Sequence, residues 1–283
     1  MRTIGAPTEL SQLLAKYLPE GSTIGFIPTM GALHKGHLEL IARSKNENDI
    51  TVVSIFINPI QFNNPEDLEK YPRTTDRDLE LLESYDVDYA FLPEEKDLYP
   101  NKPSISIDFG NPASVLEGKF RPGHFDGVGI VVSKLLNIVS PTRAYFGLKD
   151  LQQFLLVRKM CEELNFKPQI VGVPTIREKS GLAMSSRNQR LSEEGKKIAS
   201  NIFKGLTKIE EGIQKREELA PLLKESLNFY NQIPDLEIEY LEAINPSNFE
   251  SVTSYQHLEE LAVCFAGYVE GIRLIDNLYL RLK

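Results

Sequence analysis

His34 and His37 stand three residues apart in the stretch PTMGALHKGHLEL, Pro28 to Leu40, around Lys35 and Gly36. Two imidazoles at the start of a helix can donate hydrogen bonds to phosphate oxygens whose charge grows in a transition state. The flanks supply that helix. An apolar β-prone run, Ile24 to Ile27, comes before, and an apolar-periodic segment, Leu38 to Ala42, comes after. Strand, glycine-bearing turn and helix N-terminus make the place where backbone N–H groups and the helix dipole favour an anion. The element suits a nucleotide triphosphate. A metal pair is the competing reading. Only His124 and His257 remain as further imidazoles, and Cys161 and Cys264 are single and far apart, which argues against zinc.

The surrounding pattern is that of alternating strands and helices. Thr8 is placed to cap a helix with Leu10, Leu13, Leu14, Tyr17 and Leu18 on one face, and Pro19 to Ser22 turn the chain into a strand from Thr23 to Ile27. Thr51 to Asn58, TVVSIFIN, has the continuous apolarity of a buried parallel strand. Helix is expected over Asp76–Glu83, Gly127–Val139 and Leu151–Leu164, and strand over Asp88–Leu92, Arg143–Phe146 and Gln169–Val173. This order implies a Rossmann-like parallel sheet with helices on both faces and ligands at the carboxyl ends of its strands. Past Pro174 the texture changes. A loop, Arg177 to Arg190, leads to one long charged helix from about Ser192 to Asn228. Strand-like runs follow at Leu236–Ala243, Leu261–Ala266 and Ile272–Leu280. We therefore expect an α/β domain over residues 1–175 and a smaller α+β domain over 176–283.

Composition narrows the class of function. The 283 residues are 41% hydrophobic and 25% charged, ordinary for a globular protein able to bury a core. The net charge of −8 argues against non-specific nucleic-acid binding, which needs a basic face. No apolar run reaches membrane-spanning length, and the N-terminus lacks a signal-peptide core. The unpaired-looking cysteines suit a reducing compartment, so a cytoplasmic location is expected. Any cationic site must be local. Lys119, Arg121, Lys149 and Arg187, in Gly- or Ser-rich loops, are the candidates; solvated surface charge is the alternative for each.

Read in order, the loops form a set: PTMGALHKGH, NPIQF (Asn58 to Phe62), YPRTTDRD (Tyr71 to Asp78), EGKFRPGHFDGV (Glu117 to Val128), FGLKDLQQF (Phe146 to Phe154) and GLAMSSRN (Gly181 to Asn188). In these motifs, and through the closing GIRLIDN (Gly271 to Asn277), the chain resembles the pantoate–β-alanine ligase family over nearly its whole length. That family belongs to the nucleotidyltransferases that share a Rossmann-like core with class I aminoacyl-tRNA synthetases. The resemblance implies a two-step reaction. Pantoate and ATP, with Mg2+, give pantoyl adenylate and pyrophosphate; the amine of β-alanine then attacks the acyl carbon and releases AMP. It also implies a homodimer.

The resemblance further implies roles by position. Met30, Gly31, Ala32, Leu33, His34, Lys35, Gly36 and His37 match the ATP-binding turn, with His37 the catalytic histidine. His34 and His37 would stabilise the α-phosphate and the leaving pyrophosphate. Gly147, Leu148, Lys149 and Asp150 match the family's GxKD motif, with Lys149 facing phosphates and Asp150 organising the nucleotide. Ser185, Ser186 and Arg187 match the flexible second signature that closes over the phosphates, and Ile176 and Met184 are further ATP-binding positions. Gln61 matches the glutamine that touches pantoate and β-alanine, Gln153 a second pantoate-binding glutamine, and Asn58 is a further pantoate- or β-alanine-binding position. A neutral amide reads a hydroxyl or carboxylate without shifting any pKa. Met30, Val131 and Val132 are apolar walls for pantoate's gem-dimethyl group, or, for the valines, ordinary helix core. Asp76 and Asp78 either cap a helix or help hold Mg2+, and no metal ligand is assignable. Leu148 and Ile272 depart from the usual family residues. Two other classes compete: a different nucleotidyltransferase with another acceptor, and a nucleotide-sensing protein that kept the fold. Gln61, RPGHF and GLKDLQQ speak against the first; intact His34, His37, Lys149 and Arg187 speak against the second.

Overall fold

The structure, a computed structural model, describes residues 1–17, 19 and 21–282. They fall into two compact units, Met1–Leu148 with Gln152–Pro174, and Lys149–Leu151 with the residues from Thr175 onward.

In the first unit the elements run β1 (Arg2–Ile4), α1 (Pro7–Leu14), β2 (Ile24–Thr29), α2 (Lys35–Glu47), β3 (Ile50–Ile55), α3 (Pro65–Glu69), α4 (Thr75–Ser84), β4 (Tyr89–Phe91), α5 (Glu95–Leu98), α6 (Glu117–Phe120), α7 (His124–Val139), β5 (Arg143–Gly147), α8 (Leu151–Glu163) and β6 (Gln169–Val173). The six strands form one parallel sheet in the order β1-β4-β3-β2-β5-β6. The chain winds outward from β2 through β3 to β4, then returns to the other side of β2 for β5. That reversal is the topological switch point where open α/β sheets bind ligands. The histidine turn leaves β2 at this point. Phe26, Ile27, Val52, Val53 and Phe91 of the inner strands are fully buried. Each contributes about 1.5–3 kcal/mol by leaving water. The expected Rossmann-like sheet is present.

The sequence reading needs two corrections here. Helix α1 is capped by Ala6 without a side-chain bond and opens on Pro7, so Thr8 lies inside it. Proline's fixed φ and missing N–H suit the first helical position. Leu18 and Glu20, expected on the α1 face and in the following turn, lie outside the described residues. Strand β1 was not foreseen; three residues are too few to show a period.

The second unit carries α9 (Glu193–Gln214), α10 (Leu219–Asn231), β7 (Leu236–Ile244), β8 (Glu260–Val269) and β9 (Ile272–Arg281). Its strands form an antiparallel sheet in the order β7-β8-β9. Leu206, Ile209, Tyr230, Leu261 and Phe265 share its core, and the Tyr230 hydroxyl donates to the Ile202 carbonyl at 2.6 Å. The single long helix expected over Ser192–Asn228 is two. Ser192 caps α9 as a side-chain acceptor for Gly195 N–H. Arg216 ends it in the left-handed region at φ 64, where its N–H reaches Ile213 O and that of Glu217 reaches Gly212 O. No helix among the described residues is long and apolar enough to cross a membrane.

Candidate active site

The turn after β2 is held from beneath by a carboxylate. Asp78, 1% exposed, accepts from Ala32 N–H and Leu33 N–H, both at 2.8 Å, and from the Thr74 hydroxyl at 3.1 Å. Gly31 takes φ +80, and a Cβ there would stand 3.0 Å from Asp78 Oδ2 and from Ile55 Cγ2. Glycine is the residue that permits both the backbone and the close approach. Asp78 therefore anchors a distant turn and makes no cap for its own helix, where Thr74 is the N-cap. Asp78→Asn would set an amide donor against one of those backbone N–H groups. We expect a stability loss of about 2 kcal/mol, read as a lower denaturant midpoint; an unchanged midpoint would remove this anchor.

The two histidines cap α2 for each other. His34 is the N-cap residue, and its Nδ1 accepts from Gly36 N–H at 3.1 Å. His37, three residues on, accepts at Nδ1 from His34 N–H at 3.3 Å. A nitrogen that accepts carries no proton, so each neutral ring bears its hydrogen on Nε2. The rings lie with centroids 4.1 Å apart and planes tilted by 33°. Both Nε2 atoms are thus donors at a helix N-terminus, the disposition an anionic phosphate group requires.

A second cluster lies where Pro59–Gln61 packs on α7. Asn58 is 1% and Gln61 6% exposed. The Asn58 amide NH2 donates to Gln61 Oε1 and to Gly127 O, both at 3.1 Å, and the Tyr99 hydroxyl donates to Asn58 Oδ1 at 2.9 Å. Gln61 Nε2 lies 3.2 Å from Met30 Sδ, and His124 Nδ1 pairs with the Gln61 carbonyl at 2.9 Å. A Cβ on Gly127 would fall 2.6 Å from Ile60 O and 2.7 Å from Gln61 Cα. Gly127→Ala should therefore cost about 1–3 kcal/mol by forcing helix and turn apart. A thermal melt checks this, and a wild-type melt would show that the turn yields freely.

In the second unit, Lys149 is mostly buried with Nζ 3.2 Å from Asp150 Oδ1, and its carbonyl accepts from Asn277 Nδ2 at 2.9 Å. Arg177 meets the buried Asp276 with two bonds, at 2.6 and 2.9 Å, donates to Gly181 O at 3.1 Å, and lies 3.7 Å from the Phe203 ring centroid. The segment expected as a plain loop begins as a small hairpin: Arg177 bridges Ala183, and Met184 N–H donates to Ile176 O at 2.9 Å. Asn188 Nδ2 fastens it to Ala183 O and Glu178 Oε1. Ser185 opens the short 3-10 turn Ser186–Arg190 by accepting from Arg187 N–H.

Comparison with known proteins decides the family. The family profile for pantoate–beta-alanine ligase matches residues 2–279. Pantothenate synthetase from Cytophaga hutchinsonii is 48% identical over 279 residues, covering 97% of this chain and 99% of its own. That from Fervidobacterium nodosum is 43% identical, with 98% and 99% covered. The crystal structure of pantothenate synthetase from Thermus thermophilus superposes with a TM-score of 0.92 at 39% identity, covering 98% of this chain and 99% of that one. The pantoate–beta-alanine ligase from Francisella tularensis, complexed with beta-gamma ATP and beta-alanine, gives 0.81 at 36% identity, with 98% and 97% covered. The chain belongs to the pantoate–beta-alanine ligase family.

Several of the ligase's expected site residues share an element. Met30 to His37 form one turn around Asp78, and Gln61 and Asn58 share one hydrogen-bond cluster. A cavity of about 420 Å³ opens at the carboxyl ends of β2, β3 and β4, bounded by Met30, Ile57, Pro59, Leu68, Arg73 and Thr74. Its size is that of a small-molecule site. Val131 and Val132 do not line it; both are buried in α7, 6% and 4% exposed. Adjacent glutamines divide their work. Gln152 is buried and bonded to Glu117 N–H and to the carbonyls of Pro112 and Val115, while Gln153 is half-buried. Sequence reasoning left Asp78 undecided and missed Tyr99, Arg177 and Asp276. Tyr99 and Arg177 had no motif to announce them, whereas Asp276 sat in the closing GIRLIDN without an assigned task. Cys161 and Cys264 are both buried, and burial pushes the Cys161 thiol up to about 11.

Proposed function

We propose that this ligase joins pantoate to β-alanine through a pantoyl adenylate. A carboxylate oxygen of pantoate attacks the α-phosphorus of ATP, the bond to the β-phosphate bridging oxygen breaks, and pyrophosphate leaves. The β-alanine nitrogen, once its ammonium has lost a proton, attacks the acyl carbon; the acyl–oxygen bond breaks and AMP leaves. The observation that carries this reading is the reciprocal imidazole cap at the switch point, which gives α2 two Nε2–H donors besides its own N–H groups. Pre-aimed donors cost no reorganisation when charge develops on the phosphate, and positioning supplies much of the remainder.

Further groups take supporting roles. In the first unit, Met30 to His37 bind ATP, while Gln61, Gln153 and Met30 hold the acid, with Asn58 beside Gln61. Gly147 and Leu148 of the first unit are further nucleotide-binding positions; in the second, Lys149 and Arg187 are the cations suited to phosphate oxygens, Ser185 and Ser186 add hydroxyl donors, and Asp150, Ile176 and Met184 are nucleotide-binding positions. Among the described residues no group of three or more His, Cys, Asp or Glu could hold a metal ion. The described side chains do not fit a resident metal. Mg2+ is proposed to arrive on the triphosphate, as part of the substrate.

The proposal extends to a cytoplasmic homodimer. Ile105, 71% exposed, lies on a stretch outside both sheets whose Ile107 and Phe109 pack against Gly129 of α7. A monomer in sedimentation velocity would overturn the dimer. The reaction itself is tested by product analysis with pantoate, β-alanine and ATP. Equal amounts of pantothenate and AMP are expected, and ADP in place of AMP would overturn the adenylate route.

A further inference from the structure

The amide of Gln61 has two faces, and which one meets the acid decides what the ligase can recognise. The neighbours settle the orientation without reference to any ligand. Gly127 O is a backbone carbonyl and can only accept, so the Asn58 atom 3.1 Å from it must be the NH2 nitrogen. That same nitrogen lies 3.1 Å from one terminal atom of Gln61, which must then be the oxygen. The Asn58 oxygen is left facing the Tyr99 hydroxyl at 2.9 Å, which donates to it. Both amide hydrogens of Asn58 are engaged inside the protein, and its side chain is buried with only 1% of the residue exposed. Gln61 is consequently held with Oε1 turned inward and Nε2 on the side of Met30.

We propose that Tyr99 and Asn58 are positioning residues that lock Gln61 as a hydrogen-bond donor toward the acid substrate, through the relay Tyr99 hydroxyl to Asn58 to Gln61. The inference rests on the reading of Gln61 as an acid-binding residue. Its consequence is one of specificity. The site offers the acid an N–H and withholds the amide oxygen, so it recognises oxygens that accept, a carboxylate or the oxygen of a hydroxyl. Asn58 acts on the acid through Gln61 and makes no contact of its own. Tyr99 suits the task because burial raises its hydroxyl pKa, keeping the proton that the relay needs. Its ring, 6.2 Å from that of Phe56, fixes where the hydroxyl points.

Tyr99→Phe tests the relay with the ring retained. Steady-state kinetics should show the KM for pantoate raised by about 5- to 20-fold, the scale of one unsatisfied buried acceptor, with the KM for ATP within about twofold of wild type by the same reasoning. Asn58→Ala should raise the pantoate KM further, and adding Tyr99→Phe to it should change little, since the hydroxyl then has nothing to orient. A thermal melt of each variant separates a folding defect, which would move both KM values together. An unchanged pantoate KM in Tyr99→Phe would overturn the relay, as would equal rises for pantoate and ATP. Additive effects in the double variant would also overturn it. Failure of the underlying reading looks different: Gln61→Ala would then leave the KM for pantoate at its wild-type value.

Discussion

Replacing His37 with alanine is expected to lower turnover by at least about 100-fold, the usual scale for losing one aimed donor to developing charge. ATP binding should survive. His37 contributes one Nε2–H donor whose direction is set by the bond from His34 N–H to its Nδ1. The ground-state triphosphate still has the N–H groups of the α2 N-terminus, so affinity falls little while the transition state loses its donor. The lost cap costs about 1 kcal/mol of helix stability, too little to unfold the chain. Single-turnover kinetics alongside calorimetric ATP binding separate these effects. Turnover equal to wild type would remove His37 from the chemistry, and loss of ATP binding would make it a ground-state ligand.

The second large effect is expected at Asp276→Ala, on β9. Asp276 is 4% exposed, takes two bonds from Arg177 and accepts from Asn277 N–H at 2.8 Å. Removing it strands a guanidinium that is itself mostly buried, which typically costs about 3–5 kcal/mol. The loss also reaches two segments assigned to phosphate handling. Arg177 pins the hairpin that precedes Ser185, through Gly181 O, and Asn277 pins Lys149 through its carbonyl. A large drop in the urea midpoint should therefore accompany a fall in kcat. Asn277→Ala, which removes the Lys149 contact and spares Asp276, should cost about 1 kcal/mol and leave Arg177 paired. If Asp276→Ala unfolds at the wild-type midpoint, the pair contributes no net stability and this account of the hairpin is wrong.

What the sequence disclosed followed the range of the interactions involved. Periodicity and continuous apolarity are local, and they located β3, α7 and β6 and the order of strands and helices that makes the sheet. The histidine turn was legible because its capping partners are neighbours, His34, Gly36 and His37. Asp78 was not, because its bonds to Ala32 and Leu33 cross 46 and 45 positions; spacing alone leaves it looking like a helix cap. Tyr99 joins Asn58 across 41 positions and Asn277 joins Lys149 across 128, and no pattern in one chain marks such pairs. The break between α9 and α10 did leave a trace. Pro221 lies in the first turn of α10, where a missing N–H is harmless, but a single helix through Asn228 would place it mid-helix at a cost of about 3 kcal/mol. Arg216 gave no such warning, since its left-handed backbone is normally a glycine's.

The adenylate route is the central claim, and exchange of labelled pyrophosphate into ATP, run with pantoate and without β-alanine, tests it most directly. Reversible formation of pantoyl adenylate predicts label in ATP that depends on pantoate and disappears in the His37→Ala variant. Folded, active ligase that shows no exchange under these conditions would contradict a free-standing first step and require both substrates before any bond to phosphorus changes.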